Sequence, residues 1–220
     1  MPPGEILITR LLADAGYVCG LSGKLHLSAC NPEVSPIAEP RLDDGYQIFN
    51  WSHHPPHMEP DFLANQYSIW LGQQGKKYVT QNFPGSQVVM EGMPTELHHT
   101  TWCVEKAQEF VMGQEGLEAP WMFSLNIFDP HNAFDPPPEY LRRYLNNLND
   151  IPLPNYVEGE LRNKPIFQLM DHDAITPKPY AIEYDQLSDT EHRLIRAAYW
   201  AMCDLIDEQV GELLDLLETT

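Results

Sequence analysis

The sequence predicts an α/β fold with a mostly parallel sheet and long irregular loops. Three observations carry this. The elements run helix, strand, long loop, helix, strand, long loop, helix, the order that crossover connections between parallel strands produce. The runs that read as strands are short and apolar throughout, as in strands covered on both faces. The chain of 220 residues also holds 20 prolines and 13 glycines, and proline at about twice ordinary usage calls for long irregular connections.

Taken in order, Glu5 to Ala15 reads as a helix, with Ile6, Leu7, Leu11, Leu12 and Ala15 at helical spacing and Gly16 as its stop. Tyr17 to Ser22 follows as a short buried strand. From 28 to 92 the pattern breaks into Pro, Gly, His and Asn with short aromatic pieces such as Tyr46-Gln47-Ile48-Phe49. A connection that long is functional or carries small elements of its own. Met93-Pro94 opens a second helix, with Leu97, Thr101, Val104, Ala107, Phe110 and Val111 on one side and Gly113 ending it. Trp121 to Ile127 is an apolar run of strand length, read as a central strand buried on both faces. A second irregular stretch covers 132–187, with a helical turn or two at Glu139 to Leu145. The last element, Asp189 to Leu217, begins with Ser188-Asp189-Thr190-Glu191 at capping-box spacing. Leu194, Ala198, Ala201, Leu205, Val210, Leu213 and Leu217 mark its apolar face.

Composition sets further bounds. Apolar residues make up 43% and charged residues 20%, a globular balance with ample material for a core. With 13 Lys+Arg against 32 Asp+Glu the formal charge is −19, which repels phosphate backbones and argues against nucleic acid as a partner. Cys19, Cys30, Cys103 and Cys203 form no Cys-x-x-Cys pair, so neither a zinc knuckle nor a redox pair is expected. Met1-Pro2-Pro3-Gly4-Glu5 lacks the basic and apolar regions of a signal peptide, and the longest apolar runs are too short for a bilayer. No membrane partner is therefore expected, and compartment and oligomeric state stay open.

Two places join a strand end to cationic side chains. Lys24 and His26 are two residues apart, so an extended segment points both to one face. His131 follows the Trp121 strand. Sites in α/β sheets form beyond the C-terminal ends of strands, so the two places can converge on an anion. Lys supplies a fixed charge and His a proton near neutral pH. Other clusters read more plainly. His53-His54-Pro55-Pro56-His57 lacks the spacing that orients imidazoles on a metal. His98-His99 opens a helix and faces solvent or packs on the sheet. Asp129 either orients His131 or caps a turn. Asp204, Asp207 and Glu208 form a wet helix face, and Cys103 and Cys203 read as core.

Leu11-Leu12-Ala13-Asp14-Ala15-Gly16-Tyr17 followed by Ser22-Gly23-Lys24-Leu25-His26-Leu27 resembles a sulfatase signature, Ala-Gly-Tyr and then Gly-Lys-Trp-His-Leu-Gly. Leu25 stands for the usual Trp and Ser28 for the final Gly. Ser124-Leu125-Asn126-Ile127-Phe128-Asp129-Pro130-His131-Asn132-Ala133-Phe134, continued by Pro136-Pro137-Pro138-Glu139-Tyr140, resembles the family's strand leading into Pro-His-x-Pro-Phe, with Ala133 where Pro is common. Tyr199-Trp200-Ala201-Met202 through Asp204, Asp207 and Val210-Gly211 is similar to the helix before the family's second metal-binding segment.

The resemblance implies part of an alkaline-phosphatase-like α/β/α sandwich and hydrolysis of a sulfate ester, on a small molecule or a glycan. It implies a formylglycine nucleophile made from cysteine and a Ca2+ ion that polarises the sulfate. Lys24 would contact the sulfate, His26 would hold the aldehyde hydrate, and His131 would contact the sulfate or protonate the leaving oxygen. No Cys-x-Pro-Ser-Arg occurs in the chain, Cys30-Asn31-Pro32 shares only Cys-x-Pro, and the family's calcium-binding aspartates have no counterpart. The expectation is a single partial catalytic domain over 1–220, an internal piece that does not turn over sulfate esters alone. Loops 28–92 and 132–187 are expected near the site, shaping specificity. Two other readings share these residues: a phosphonate monoester hydrolase or phosphodiesterase of the same fold, and a non-catalytic module that binds sulfated glycans.

Overall fold

The structure is a computed structural model that describes residues 4–27, 43–53, 65–172 and 187–220. In chain order its elements are α1 (Ile8–Asp14), β1 (Val18–Lys24), β2 (Ile48–Ser52), α2 (Gln66–Gln73), β3 (Gln81–Asn82), β4 (Met90–Glu91), α3 (His99–Gln114), β5 (Trp121–Asn126), α4 (Pro138–Leu145), α5 (Ile166–His172) and α6 (Asp189–Thr219). Strands β2, β1 and β5 form one parallel sheet in that spatial order. β1 lies in the middle, registering Gly20 with both Ile48 and Phe123. β3 and β4 make a separate two-residue antiparallel ladder. The mixed α/β architecture and parallel sheet agree with expectation.

The alternation of β1 sets the layers. Cys19 and Leu21 point to one face and Gly20 and Ser22 to the other. The Cys19 thiol reaches the Thr9 carbonyl of α1 at 3.6 Å. On the opposite face the Ser22 hydroxyl donates to the Cys103 carbonyl of α3 at 2.7 Å. Helices thus cover both faces, the α/β/α sandwich the resemblance implies. α6 packs outside the strands, on α3 and α4. Leu194, Ala197, Ala198, Ala201 and Leu205 build a core there with Val89, Tyr140 and Leu141.

Several expectations need correction. Trp121–Asn126 is not a central strand: among the described residues it is an edge, half-buried, with Trp121 39% exposed. A continuous apolar run looks the same whether strands or a helix cover it. β1 is the central strand, and it runs to Lys24 rather than Ser22. The 28–92 stretch holds β2, α2 and the β3–β4 ladder. α1 begins at Ile8, not Glu5, and Ile6, Ile8 and Leu11 are exposed.

Met93-Pro94 leads into a 3₁₀ turn at Thr95–Leu97, and α3 starts only at His99. The cap is His98, whose Nδ1 accepts the Thr100 N–H at 3.3 Å, a role that cap rules reserve for Ser, Thr, Asp and Asn. Gly113 does not stop this helix. At α6 the Ser188 hydroxyl oxygen accepts the Glu191 N–H at 3.2 Å, as the spacing predicts. Glu191 does not close the box; its carboxylate accepts the Gln87 N–H at 2.9 Å. The apolar face of α6 fades past Gln209, leaving Leu214 and Leu217 exposed.

Candidate active site at the C-terminal edge of the sheet

In a parallel sheet all strands end at one edge, and the candidate residues gather there. β1 reaches that edge through Gly23, whose φ of +95° suits glycine alone among the residues. A Cβ at Gly23 would lie 2.0 Å from the Asn126 carbonyl oxygen, so the tight approach of β1 to β5 excludes any side chain. Asn126 returns the contact, its Nδ2 donating to the Lys24 carbonyl at 2.9 Å. Lys24 is thereby fixed against the end of β5. Its Nζ lies 4.9 Å from the centre of the Phe128 ring, a cation–π contact that holds the ammonium without neutralising it. The His131 ring lies 4.6 Å from the same Phe128 ring, tilted by 37°. Lys24 and His131, 107 positions apart in the sequence, thus share one buried phenyl ring.

His26 is placed differently. The strand ends at Lys24 and its alternation does not continue. The Trp51 indole donates to the Leu25 carbonyl at 2.9 Å, drawing the segment toward β2. The exposed His26 ring then meets His53 edge-on, centroids 5.2 Å apart. The edge therefore carries Lys24 with His131 over β5, and His26 with His53 over β2. His53 belongs to the histidine cluster considered above, and only its place directly after an aromatic strand segment could have marked it. His54 and His57 lie outside the described residues, as does Cys30.

Behind this edge, Asp129 does not orient His131. Its Oδ2 accepts from the Thr100 hydroxyl at 2.8 Å and stands 3.7 Å from His98 Nδ1. Because that Nδ1 already accepts the Thr100 N–H, it carries no proton, and the 3.7 Å approach is proximity rather than an ion pair. Burial pushes the His98 imidazole below its usual value, with Asp129 opposing. His99 is pushed down to about 3 by burial and then by His98, and its Nε2 pairs with the Ser52 hydroxyl at 2.6 Å. Both histidines are buried, so neither faces solvent as one reading allowed. Asp135, 6% exposed and accepting from the Tyr78 hydroxyl, is raised to about 7 by burial.

Cys103 is buried and its thiol pushed up by burial and then Asp129; Cys19 is likewise raised by burial. Neither is an activated nucleophile. Cys203 is only half-buried, less a core residue than its helical position suggests. Asp204 and Glu208 pair with Arg143 rather than forming a purely wet face. Among the described residues, no three His, Cys, Asp or Glu side chains come together as a metal-ligand set. No described helix is long and apolar enough to cross a membrane.

No family model matches the chain. Among curated proteins it is 24% identical over 221 residues to the uncharacterized sulfatase YidJ of Escherichia coli, covering 98% of this chain and 39% of that protein. It is 23% identical over 215 residues to iduronate 2-sulfatase of Mus musculus, covering 96% of this chain and 36% of that protein. The chain spans less than two-fifths of the length of these relatives. Among solved structures it resembles the phosphonate monoester hydrolase of Agrobacterium radiobacter, with TM-score 0.63 and 17% identity over 96% of this chain and 43% of that one. A second phosphonate monoester hydrolase, from Silicibacter pomeroyi, gives 0.62 and 16%. These structures share the fold, and the chain's sequence homologues are sulfatases.

Proposed function

We propose that this homologue of sulfatases contributes to the active site of a sulfuric ester hydrolase, with Lys24, His26 and His131 acting at the sulfate. The observation that carries the reading is the meeting of Lys24 and His131 on the Phe128 ring at the C-terminal edge of a parallel sheet. Cleavage of a sulfate ester builds negative charge on the leaving oxygen while the non-bridging oxygens stay anionic. Lys24, held by Phe128 and paired with no carboxylate among the described residues, offers its full charge to one non-bridging oxygen. His131, exposed on the same ring, can donate a proton to the leaving oxygen. His26, edge-on to His53, offers a second imidazole to a sulfate oxygen. The formylglycine and Ca2+ that the resemblance implies have neither a Cys-x-Pro-Ser-Arg sequence nor a described ligand set in this chain. No step is derived through them.

The test uses the protein that carries this sequence. Release of nitrophenol from 4-nitrophenyl sulfate is compared with release from 4-nitrophenyl phenylphosphonate. The sulfate should be preferred, and Lys24→Ala should lower kcat/KM on it by about 100-fold or more, as loss of an oxyanion partner does. His131→Ala should slow esters of poor leaving groups more than the nitrophenyl ester. A preference for the phosphonate would move the reading to a phosphonate monoester hydrolase, and indifference to both substitutions would remove these residues from the site.

A further inference from the structure

A cavity of about 890 Å³ opens between the first turns of α6 and the 151–157 segment, outside the Lys24 and His131 patch. Phe134, Tyr156, Tyr199 and Trp200 supply aromatic walls, and aliphatic side chains such as Ile195 fill much of the remainder. Its size is that of a small-molecule site, about 300–1,000 Å³. Phe134 is three residues beyond His131, so the extended-chain limit places its Cα within about 11 Å of the His131 Cα.

Besides the Tyr156 and Tyr199 hydroxyls, the polar side chains lie on one face of α6: Asp189, His192 and Arg196, at spacings of three and four. Arg196 donates through Nη1 to the Pro152 carbonyl at 2.6 Å and more weakly to that of Leu153 at 3.5 Å. No carboxylate among the described residues pairs with it. These two carbonyls fix the guanidinium at the cavity wall, and its other N–H groups stay available for an anion. Asp189 is seven residues away, about 10 Å along the helix axis, so the anion-accepting end of the cavity is the Arg196 end. The walls are mostly aromatic and aliphatic, which favours an apolar ring over a hydroxyl-rich sugar.

We propose that this cavity binds an apolar ring bearing one anionic group, the ring against Tyr199 and Trp200 and the anion at Arg196. Resting on the reading above, it takes the part of an ester substrate remote from the reacting sulfate. Titration calorimetry with 2-naphthoate tests this, with neutral 2-naphthalenemethanol and with glucuronate as comparators. Naphthoate should bind saturably, at least fivefold tighter than either comparator. Tyr199→Ala, at a side chain already 44% exposed, and Arg196→Gln should each weaken it at least fivefold, and Lys24→Ala should leave it unchanged.

Absence of saturable binding, binding indifferent to Tyr199→Ala and Arg196→Gln, or equal affinity for glucuronate would overturn the proposal. Binding lost only in Lys24→Ala would place the ring at the Lys24 patch, ending the cavity assignment while the sulfatase reading stands. Ester turnover insensitive to Lys24→Ala, with naphthoate binding still dependent on Tyr199, would end that reading and leave the cavity.

Discussion

Gly23 shows how much one residue decides at this edge. The signature-like run around it made Lys24 and His26 legible as candidates, and the histidine after Pro130 was legible in the same way. Their mutual arrangement was not, because alternation holds only along a strand, and β1 ends at Lys24 before His26 is reached. Gly23→Ala should destabilise the protein by more than about 2 kcal/mol, through both the left-handed backbone and the clash with Asn126. Urea unfolding measures this, and a loss under about 0.5 kcal/mol would mean the strand end relaxes freely. Asp135 gives a second prediction. Its folded pKa of about 7 lies above the ordinary carboxyl value, so the folded state holds a proton that the unfolded state loses. Its contribution to stability is fully present below about pH 4 and declines as pH rises through 7. Asp135→Asn should therefore gain stability relative to wild type between pH 4 and 8, and parallel stability curves over that range would contradict the assignment. His99, near 3 when folded, works in the opposite sense and removes stability as pH falls below 6.5.

Among elements, α6 was the most legible because its cap and its period both lie within a few residues of one another. Ser188→Ala should cost about 1 kcal/mol by freeing the Glu191 N–H. Thermal unfolding would show it, and Ser188→Asp should restore most of the loss. β2 and α2 were illegible because their places come from pairing with β1 and packing on β2 rather than from an uninterrupted apolar run within their five and eight residues. The start of α3 was misplaced because its cap is an imidazole. The place of β5 at the edge among the described strands could not be read at all, since an apolar strand does not record which of its sides another strand occupies.

At the scale of the molecule, the charge of −19 surrounds a small cationic edge, and the two act over different distances. Lys24 would touch a bound sulfate directly, whereas the acidic body repels it from afar. Raising salt from about 0.01 M to 0.15 M shortens the screening length from about 30 to about 8 Å, which removes the distant repulsion before the contact. KM for an anionic ester should therefore fall severalfold over that range, and a steady rise would show that the local patch dominates. The sheet order also has a kinetic meaning. β1 finds β2 across 28 residues, Gly20 to Ile48, but finds β5 across 103, Val18 to Trp121. Closing the longer loop costs about 1 kcal/mol more in chain entropy, and non-local pairing of that kind is slow. During synthesis and refolding, the β1–β2 pair can therefore form well before β5 arrives, carrying His26 and His53 but leaving Lys24 without Phe128. The Lys24–Phe128 contact forms only once β5 docks, so the ligand binding proposed for that edge should return later than secondary structure.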